Sequence, residues 1–155
     1  MEVLRFRYLI TMARYTKQAK LNLAQQEERL KRVYGNLIDY IKISSGTLIC
    51  DIRLQPSLES RVYKIQIKYK LDSKPQARIL DPKEIVKVNG KKPHHLYDRD
   101  KDGRERLCVY YRDEWKANMF LSDTFAPWII TWLSAYEYWQ ITGIWVYPEI
   151  VRKVK

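Results

Sequence analysis

The hydrophobic pattern begins with a long helical segment. Residues 2–34 contain no Pro or Gly and are rich in Leu, Ala, Gln, Glu, Lys and Arg, all of which favour helices. One apolar stripe with helical spacing is approximated by Leu23, Leu30, Val33, Tyr34 and Leu37. Gly35-Asn36 then supplies a helix stop. We predict one long helix, or two helices with a break near Tyr15-Thr16.

Apolar and polar residues then alternate with the period of half-buried strands. Residues 47–54 carry an apolar side chain at every second position, from Leu48 to Leu54, and residues 61–70 repeat the pattern. The short connection between them, beginning at Gln55-Pro56-Ser57, predicts an antiparallel hairpin. A weaker strand at 77–80 and a long polar stretch follow, and we predict a fourth strand at 107–111.

The last strong pattern is a helical stripe of aromatic residues. Ser122-Asp123-Thr124 can cap a helix, Pro127 suits its first turn, and Gly143 marks its end. One face of this helix is predicted to carry Trp128, Trp132, Tyr136 and Trp139. We interpret the stripe as core packing rather than as a cofactor site. The predicted fold is α+β, with an N-terminal helix, a four-stranded antiparallel meander and a C-terminal helix.

Length and charge limit the possible classes of protein. The 155 residues fit one domain, 1–155. The 29 basic and 18 acidic residues give a net charge of +11, which favours acidic partners. No dense basic block occurs beyond Arg152-Lys153-Val154-Lys155, so we do not expect nucleic acid to be a partner. No charge-free apolar run reaches the roughly 18 residues needed to cross a bilayer, so we expect no membrane association. The N-terminus lacks the continuous apolar centre of a secretory signal, and we predict a cytoplasmic protein with free thiols.

The two cysteines differ in their relation to the apolar pattern. Cys50 is in phase with Leu48 and Ile52, so we predict a structural role in the core. Cys108 is out of phase with Leu107 and Val109 and follows a hydrophilic loop. Reactive thiols need partial access and a setting that stabilises the thiolate. That setting can be supplied by the nearby Arg104, Arg106 and Arg112.

The histidines, His94 and His95, are adjacent in the chain. Neighbouring residues rarely point to one metal ion, and the sequence has no matching Cys or His cluster, so we predict no metal and no other cofactor. A histidine here can form a hydrolytic dyad with Cys108. It can equally brace the loop by hydrogen bonding, and the residues alone leave both roles open.

Two long runs resemble a known family. They are PHHLYDRDKDGRERLCVYYRDEW and LSDTFAPWIITWLSAYEYWQITGIW. The matching positions include His95-Leu96-Tyr97, Asp102-Gly103, Leu107-Cys108, Tyr110-Tyr111, Glu114-Trp115, Asp123-Thr124, Pro127-Trp128, Trp132-Leu133, Tyr136-Glu137, Trp139 and Thr142-Gly143. Together they resemble the ubiquitin-conjugating-enzyme-like proteins of bacterial CBASS (type II short) anti-phage operons.

The resemblance implies a ubiquitin-conjugating-enzyme-like fold and a transferase activity in antiviral defence. Cys108 would carry the C-terminus of a cGAS-like nucleotidyltransferase as a thioester and pass it to an amine of an acceptor protein, which primes cyclic-nucleotide signalling. His95 matches the family's histidine and is predicted to be catalytic with Cys108. Tyr97, Trp115 and Asp123 are predicted to bind substrate.

This sequence departs from the pattern in three ways. It has no asparagine at the position of the eukaryotic His-Pro-Asn motif, where that residue is associated with oxyanion stabilisation. The loop between Tyr97 and Cys108 is a few residues longer than usual, and a VYPEIVRKVK tail replaces the family's Gly-rich end.

Two other functions are compatible with the same residues. One is a non-enzymatic role, either an inactive adaptor or a basic module that binds nucleic acid through Lys64, Lys68 and the tail. The other is a hydrolase that uses a dyad of Cys108 and a histidine.

Overall fold

A computed structural model describes residues 19–99, 103–111 and 113–145. The first helix within these residues, α1, spans Leu23–Tyr34. The Asn22 side chain accepts a hydrogen bond from the Gln25 N–H at 2.8 Å, and the Gln25 side chain accepts one from the Asn22 N–H at 2.9 Å. This capping box fixes the helix start. Residues 19–22 are not helical, so the predicted helix is confirmed over residues 23–34, whereas its earlier part and the predicted break near Tyr15-Thr16 lie outside the described residues.

The centre of the fold is a six-stranded sheet with the order β1-β2-β3-β4-β6-β5. All of its pairs are antiparallel. The strands are β1 (Ile38–Ser44), β2 (Thr47–Leu54), β3 (Tyr63–Lys70), β4 (Gln76–Asp81), β5 (Leu96–Arg99) and β6 (Glu105–Leu107). The predicted strands at 47–54, 61–70 and 77–80 are confirmed within a few residues as β2, β3 and β4.

β1 was not predicted, because a bulge breaks its alternation. The register with β2 shifts between Ile38 and Tyr40, so the half-buried residues are Ile38, Ile41 and Ile43. A bulge inserts one residue and moves the following side chains out of the simple period of two. β5 was also not predicted, because it lies in the stretch interpreted as a long polar loop, so the predicted count of four strands is lower than the six in the described residues.

The predicted strand at 107–111 was wrong. Regular pairing ends at Leu107, which lies opposite Leu96 of β5. Buried and half-buried residues nevertheless continue to alternate from Glu105 to Tyr110. The side chains therefore show the alternation of a strand, whereas the backbone beyond Leu107 leaves the sheet.

The second helix, α2, spans Ala126–Thr142 and follows a π-helical turn at Leu121–Phe125. Pro127 lies in its first turn, and left-handed Gly143 ends it with an N–H donated to the Trp139 carbonyl at 2.7 Å. Both predictions are confirmed. The predicted cap at Ser122-Asp123-Thr124 was wrong, since these residues form the π-helical turn and no side chain caps α2.

The core includes apolar residues of the sheet and both helices. Ile65, Leu30 and Trp132 are fully buried there. On the aromatic stripe, Trp132, Tyr136 and Trp139 are buried and Trp128 packs against them partly buried, which confirms core packing. The structure thus has the α+β class predicted, with an N-terminal helix, an antiparallel sheet and a C-terminal helix. None of the helices in the described part of the chain has both the length and the apolar character needed to span a membrane.

Candidate functional site around Cys108

Cys108 follows β6 directly and is half-buried. Its N–H donates a hydrogen bond to the His95 carbonyl at 2.9 Å. Its thiol lies 4.0 Å from the Tyr110 carbonyl oxygen, a long and weak contact. The backbone is therefore fixed where it leaves the sheet, while the residue remains partly exposed.

Cys50 has the opposite environment. It lies on β2 with no exposed surface, opposite Ile41 and Ile67 on the neighbouring strands. Burial, followed by the nearby charge of Asp51, raises the pKa of its thiol to about 12. The predicted structural role of Cys50 is confirmed, because a neutral buried thiol is a poor nucleophile.

Tyr97, on β5, lies beside Cys108. A hydrogen bond with Cys108 is the main reason that the pKa of Tyr97 is raised, with burial as a second cause. The Arg106 guanidinium lies over the Tyr97 ring, 5.1 Å from its centroid. The antiparallel β5–β6 pair brings these three residues together although the chain separates Tyr97 from Cys108.

The backbone of His95 forms a hydrogen bond with the backbone of Cys108. Its carbonyl accepts the Cys108 N–H at 2.9 Å and the Trp132 indole N–H at 3.1 Å. Its φ of 59° lies in the left-handed region, which turns the chain into β5. The His95 ring lies 5.7 Å from the Trp145 ring between centroids. These hydrogen bonds are made by the backbone carbonyl of His95, so both the bracing and the catalytic role of its imidazole stay predictions.

A groove of about 290 Å³ lies next to the Cys108 segment, since Leu107 and Tyr110 on either side of Cys108 belong to its lining while Cys108 itself does not. It is lined by Ser73, Lys74, Pro75, Gln76, Tyr97, Arg106, Leu107 and Tyr110. The Tyr110 hydroxyl donates to the Pro75 carbonyl at 2.9 Å, which joins the β3–β4 loop to the segment that follows Cys108. The groove therefore combines residues from three distant parts of the chain.

Two predicted substrate-binding residues lie elsewhere than in the lining of this groove. Trp115 is buried with 7% of its surface exposed, and its ring meets those of Tyr69 and Phe125. Asp123 forms an ion pair with Arg29 of α1 at 3.1 Å, and this interaction holds the pKa of the carboxyl below its usual range. Of the three predicted substrate-binding residues, Tyr97 is the one that lines the groove.

The predicted arginine cluster is divided. Arg106 lies over Tyr97, while Arg104 donates to the carbonyls of Ile79 and Leu80 at 3.2 and 3.0 Å. Arg112 lies outside the described residues, as do Asp102 of the predicted turn and the tail at 146–155. Lys74 and Tyr110 were missed as site residues, because only the β4–β6 and β5–β6 pairing brings them beside the groove.

The described residues contain no group of three His, Cys, Asp or Glu side chains that could hold a metal ion.

Comparison with known proteins identifies the family. Residues 26–153 match the family model E2-CBASS, described as the Type II CBASS E2 protein. The chain belongs to this family. No curated protein matches it significantly. The matched range contains Cys108, His95, Tyr97, Trp115 and Asp123, so every predicted site residue lies within the Type II CBASS E2 region. Membership associates the chain with the CBASS antiviral system and with an E2-like conjugation role.

Proposed function

We propose that this CBASS E2 protein is a thioester-forming transferase with the ubiquitin-conjugating-enzyme-like fold. Cys108 accepts the C-terminus of a cGAS-like nucleotidyltransferase and passes it to an amine, a lysine of an acceptor protein. The observation that carries the proposal is the half-buried Cys108 thiol beside the Tyr97 hydroxyl, at a groove of about 290 Å³. Family membership supplies the conjugation role.

The first step loads the cysteine. The Cys108 thiolate attacks an activated carbonyl at the donor's C-terminus, a carbon–sulfur bond forms, and the bond to the activating group breaks. The sequence carries no motif for adenylation, so the carbonyl arrives already activated. A thiolate is a good nucleophile near neutral pH, and the Tyr97 hydroxyl can donate a hydrogen bond to it.

The second step transfers the donor. A neutral amine attacks the thioester carbonyl, an amide bond forms, and the Cys108 thiolate leaves while the amine nitrogen loses its proton to solvent or a base. In this proposal His95 holds the Cys108 backbone, and Tyr97 contacts both the sulfur and the donor. Substrate binding by Trp115 and Asp123 remains a prediction, and it would act on a surface other than the groove.

The test compares two cysteine variants. The purified protein is incubated with its partner nucleotidyltransferase and an activating system, and a reductant-sensitive adduct is followed by non-reducing electrophoresis. Cys108→Ala should abolish the adduct, because the acceptor sulfur is gone. Cys50→Ala should retain it, because Cys50 is buried away from solvent.

Three outcomes would contradict the proposal. An adduct that survives Cys108→Ala would assign the thioester to another residue. Release of free partner from a preformed conjugate, without transfer to an added amine, would favour a hydrolase. Binding of the partner with no adduct under any condition would favour an adaptor.

A further inference from the structure

We propose that the groove beside Cys108 binds an acidic peptide segment, the residues that precede the donor's C-terminal carbonyl. Arg106 and Lys74 are its specificity-determining residues. The inference rests on the proposed thioester function and adds the chemical class of donor that the site selects.

The charge of the groove is the first argument. Lys74 and Arg106 are the charged residues in its lining, and both are cations. The other lining residues are neutral: Ser73, Pro75, Gln76, Tyr97, Leu107 and Tyr110. A cleft lined by one sign of charge raises the local concentration of oppositely charged groups. The groove therefore favours a ligand with carboxylates.

The position of Arg106 is the second argument. Its guanidinium lies over the Tyr97 ring, and Tyr97 lies beside Cys108 on the paired strand β5. A guanidinium stacked on an aromatic ring keeps its edges available for planar pairing with a carboxylate. A carboxylate bound there would lie near the thiol. The selected acidic residue is consequently close to the donor's terminal carbonyl.

The walls of the groove are held by hydrogen bonds. The Tyr110 hydroxyl donates to the Pro75 carbonyl at 2.9 Å, and the Ser73 hydroxyl donates to the Lys70 carbonyl at 2.6 Å. A preformed site loses less conformational entropy on binding. Its volume of about 290 Å³ lies at the lower end of sites for drug-sized ligands, which suits a short peptide segment.

The experiment uses synthetic peptide thioesters as probes. Two peptides share one sequence and carry either Glu or Gln at the two positions before the C-terminal residue. The Cys108 thiolate attacks the peptide thioester carbonyl, the new carbon–sulfur bond forms, and the small thiol leaves as its thiolate. Intact-mass spectrometry gives the acylation rate of the full chain. This exchange needs no separate activating enzyme.

The wild-type protein should react about three- to fivefold faster with the Glu peptide, the size expected for a partly exposed ion pair. High salt should reduce the ratio, because it screens exposed charges. Arg106→Gln and Lys74→Gln should each bring the ratio closer to one. Arg106→Lys should retain part of it, because the charge stays while the planar fork is lost.

Lys42→Gln is the matched control, since it removes one cation from β1, the strand at the far end of the sheet from β5. It should leave the ratio unchanged. Equal rates for the two peptides in the wild-type protein would overturn the inference and leave the thioester function intact. An equal loss of preference in Lys42→Gln would also overturn it, because net charge would then explain the effect.

Two results separate this inference from the function on which it rests. If neither peptide acylates the wild-type protein, or if Cys108→Ala reacts equally well, the thioester function itself is contradicted. If Arg106→Gln does not fold, as judged by circular dichroism, Lys74→Gln still decides the question. Lys74 is exposed in the β3–β4 loop and does not belong to the hydrophobic core.

Discussion

At the scale of single residues, the feature to test is the Tyr97 hydroxyl, which lies beside the Cys108 thiol. Its hydrogen bond with Cys108 raises the pKa of Tyr97, so Tyr97 stays protonated at neutral pH and can donate to the thiolate. Tyr97→Phe should slow alkylation of Cys108 by iodoacetamide at neutral pH about three- to tenfold, since hydrogen bonds to charged groups are among the stronger ones. Mass spectrometry of the Cys108 peptide gives the rate.

Tyr40→Phe is the control for this prediction. Tyr40 lies on β1, and its 48% exposure is close to the 46% of Tyr97. It should leave the alkylation rate of Cys108 unchanged. Equal rates in the wild-type protein and in Tyr97→Phe would show that the hydroxyl does not stabilise the reactive anion.

The residues of the site were predictable to different degrees. The apolar phase separated Cys50 from Cys108, because burial on a strand face follows a local period of two. The contact between Tyr97 and Cys108 depends on the β5–β6 register, with Leu96 opposite Leu107. Such pairing is set by tertiary structure, so no local pattern reveals it. Trp115 was predicted to bind substrate because it matches the family motif, yet it is buried in the core. A position of the motif can therefore also have a packing role.

At the scale of elements, a buried glutamine joins α1 to the segment before α2. The Gln26 amide donates to the Met119 carbonyl, and its oxygen accepts the Leu121 N–H, both at 2.8 Å. Gln26 is fully buried. The predicted apolar stripe of the helix did not include it, because that prediction was based on hydrophobic residues. Its importance follows only from partners that lie far along the chain.

Gln26→Ala should lower the free energy of unfolding by about 2–4 kcal/mol, because the buried Leu121 N–H and the part-buried Met119 carbonyl lose their partner. Gln25→Ala is the matched control, one residue away and exposed, where loss of the capping-box bond should cost about 0.5–1 kcal/mol. Urea denaturation of both variants measures the difference. Equal losses would contradict the bridging role of Gln26.

At the scale of the whole molecule, the core contains several acids in their neutral form. Burial raises the pKa of Cys50 from 9.0 to about 12, and burial is also the main cause of the raised pKa values of Tyr63, Tyr110 and Tyr136. Unfolding exposes these groups to water and restores their ordinary values. Above those values the unfolded chain binds fewer protons than the folded one, so stability falls as the pH rises.

Below about pH 9 these groups should therefore contribute fully to the free energy of unfolding. Their contribution should be lost progressively as the pH rises towards 12, because the pKa of Cys50 is raised in the folded protein. Each group that titrates only in the unfolded chain adds about 1.4 kcal/mol per pH unit to the slope. Urea denaturation across this range measures the free energy of unfolding at each pH, and that free energy should fall more steeply with pH than a single titrating group would cause. Cys50→Ala removes the group with the lowest ordinary pKa of this set. The free energy of unfolding of this variant should therefore begin to fall about one pH unit higher, near the ordinary pKa of tyrosine. An unchanged onset in that variant would mean that another group governs the loss of stability.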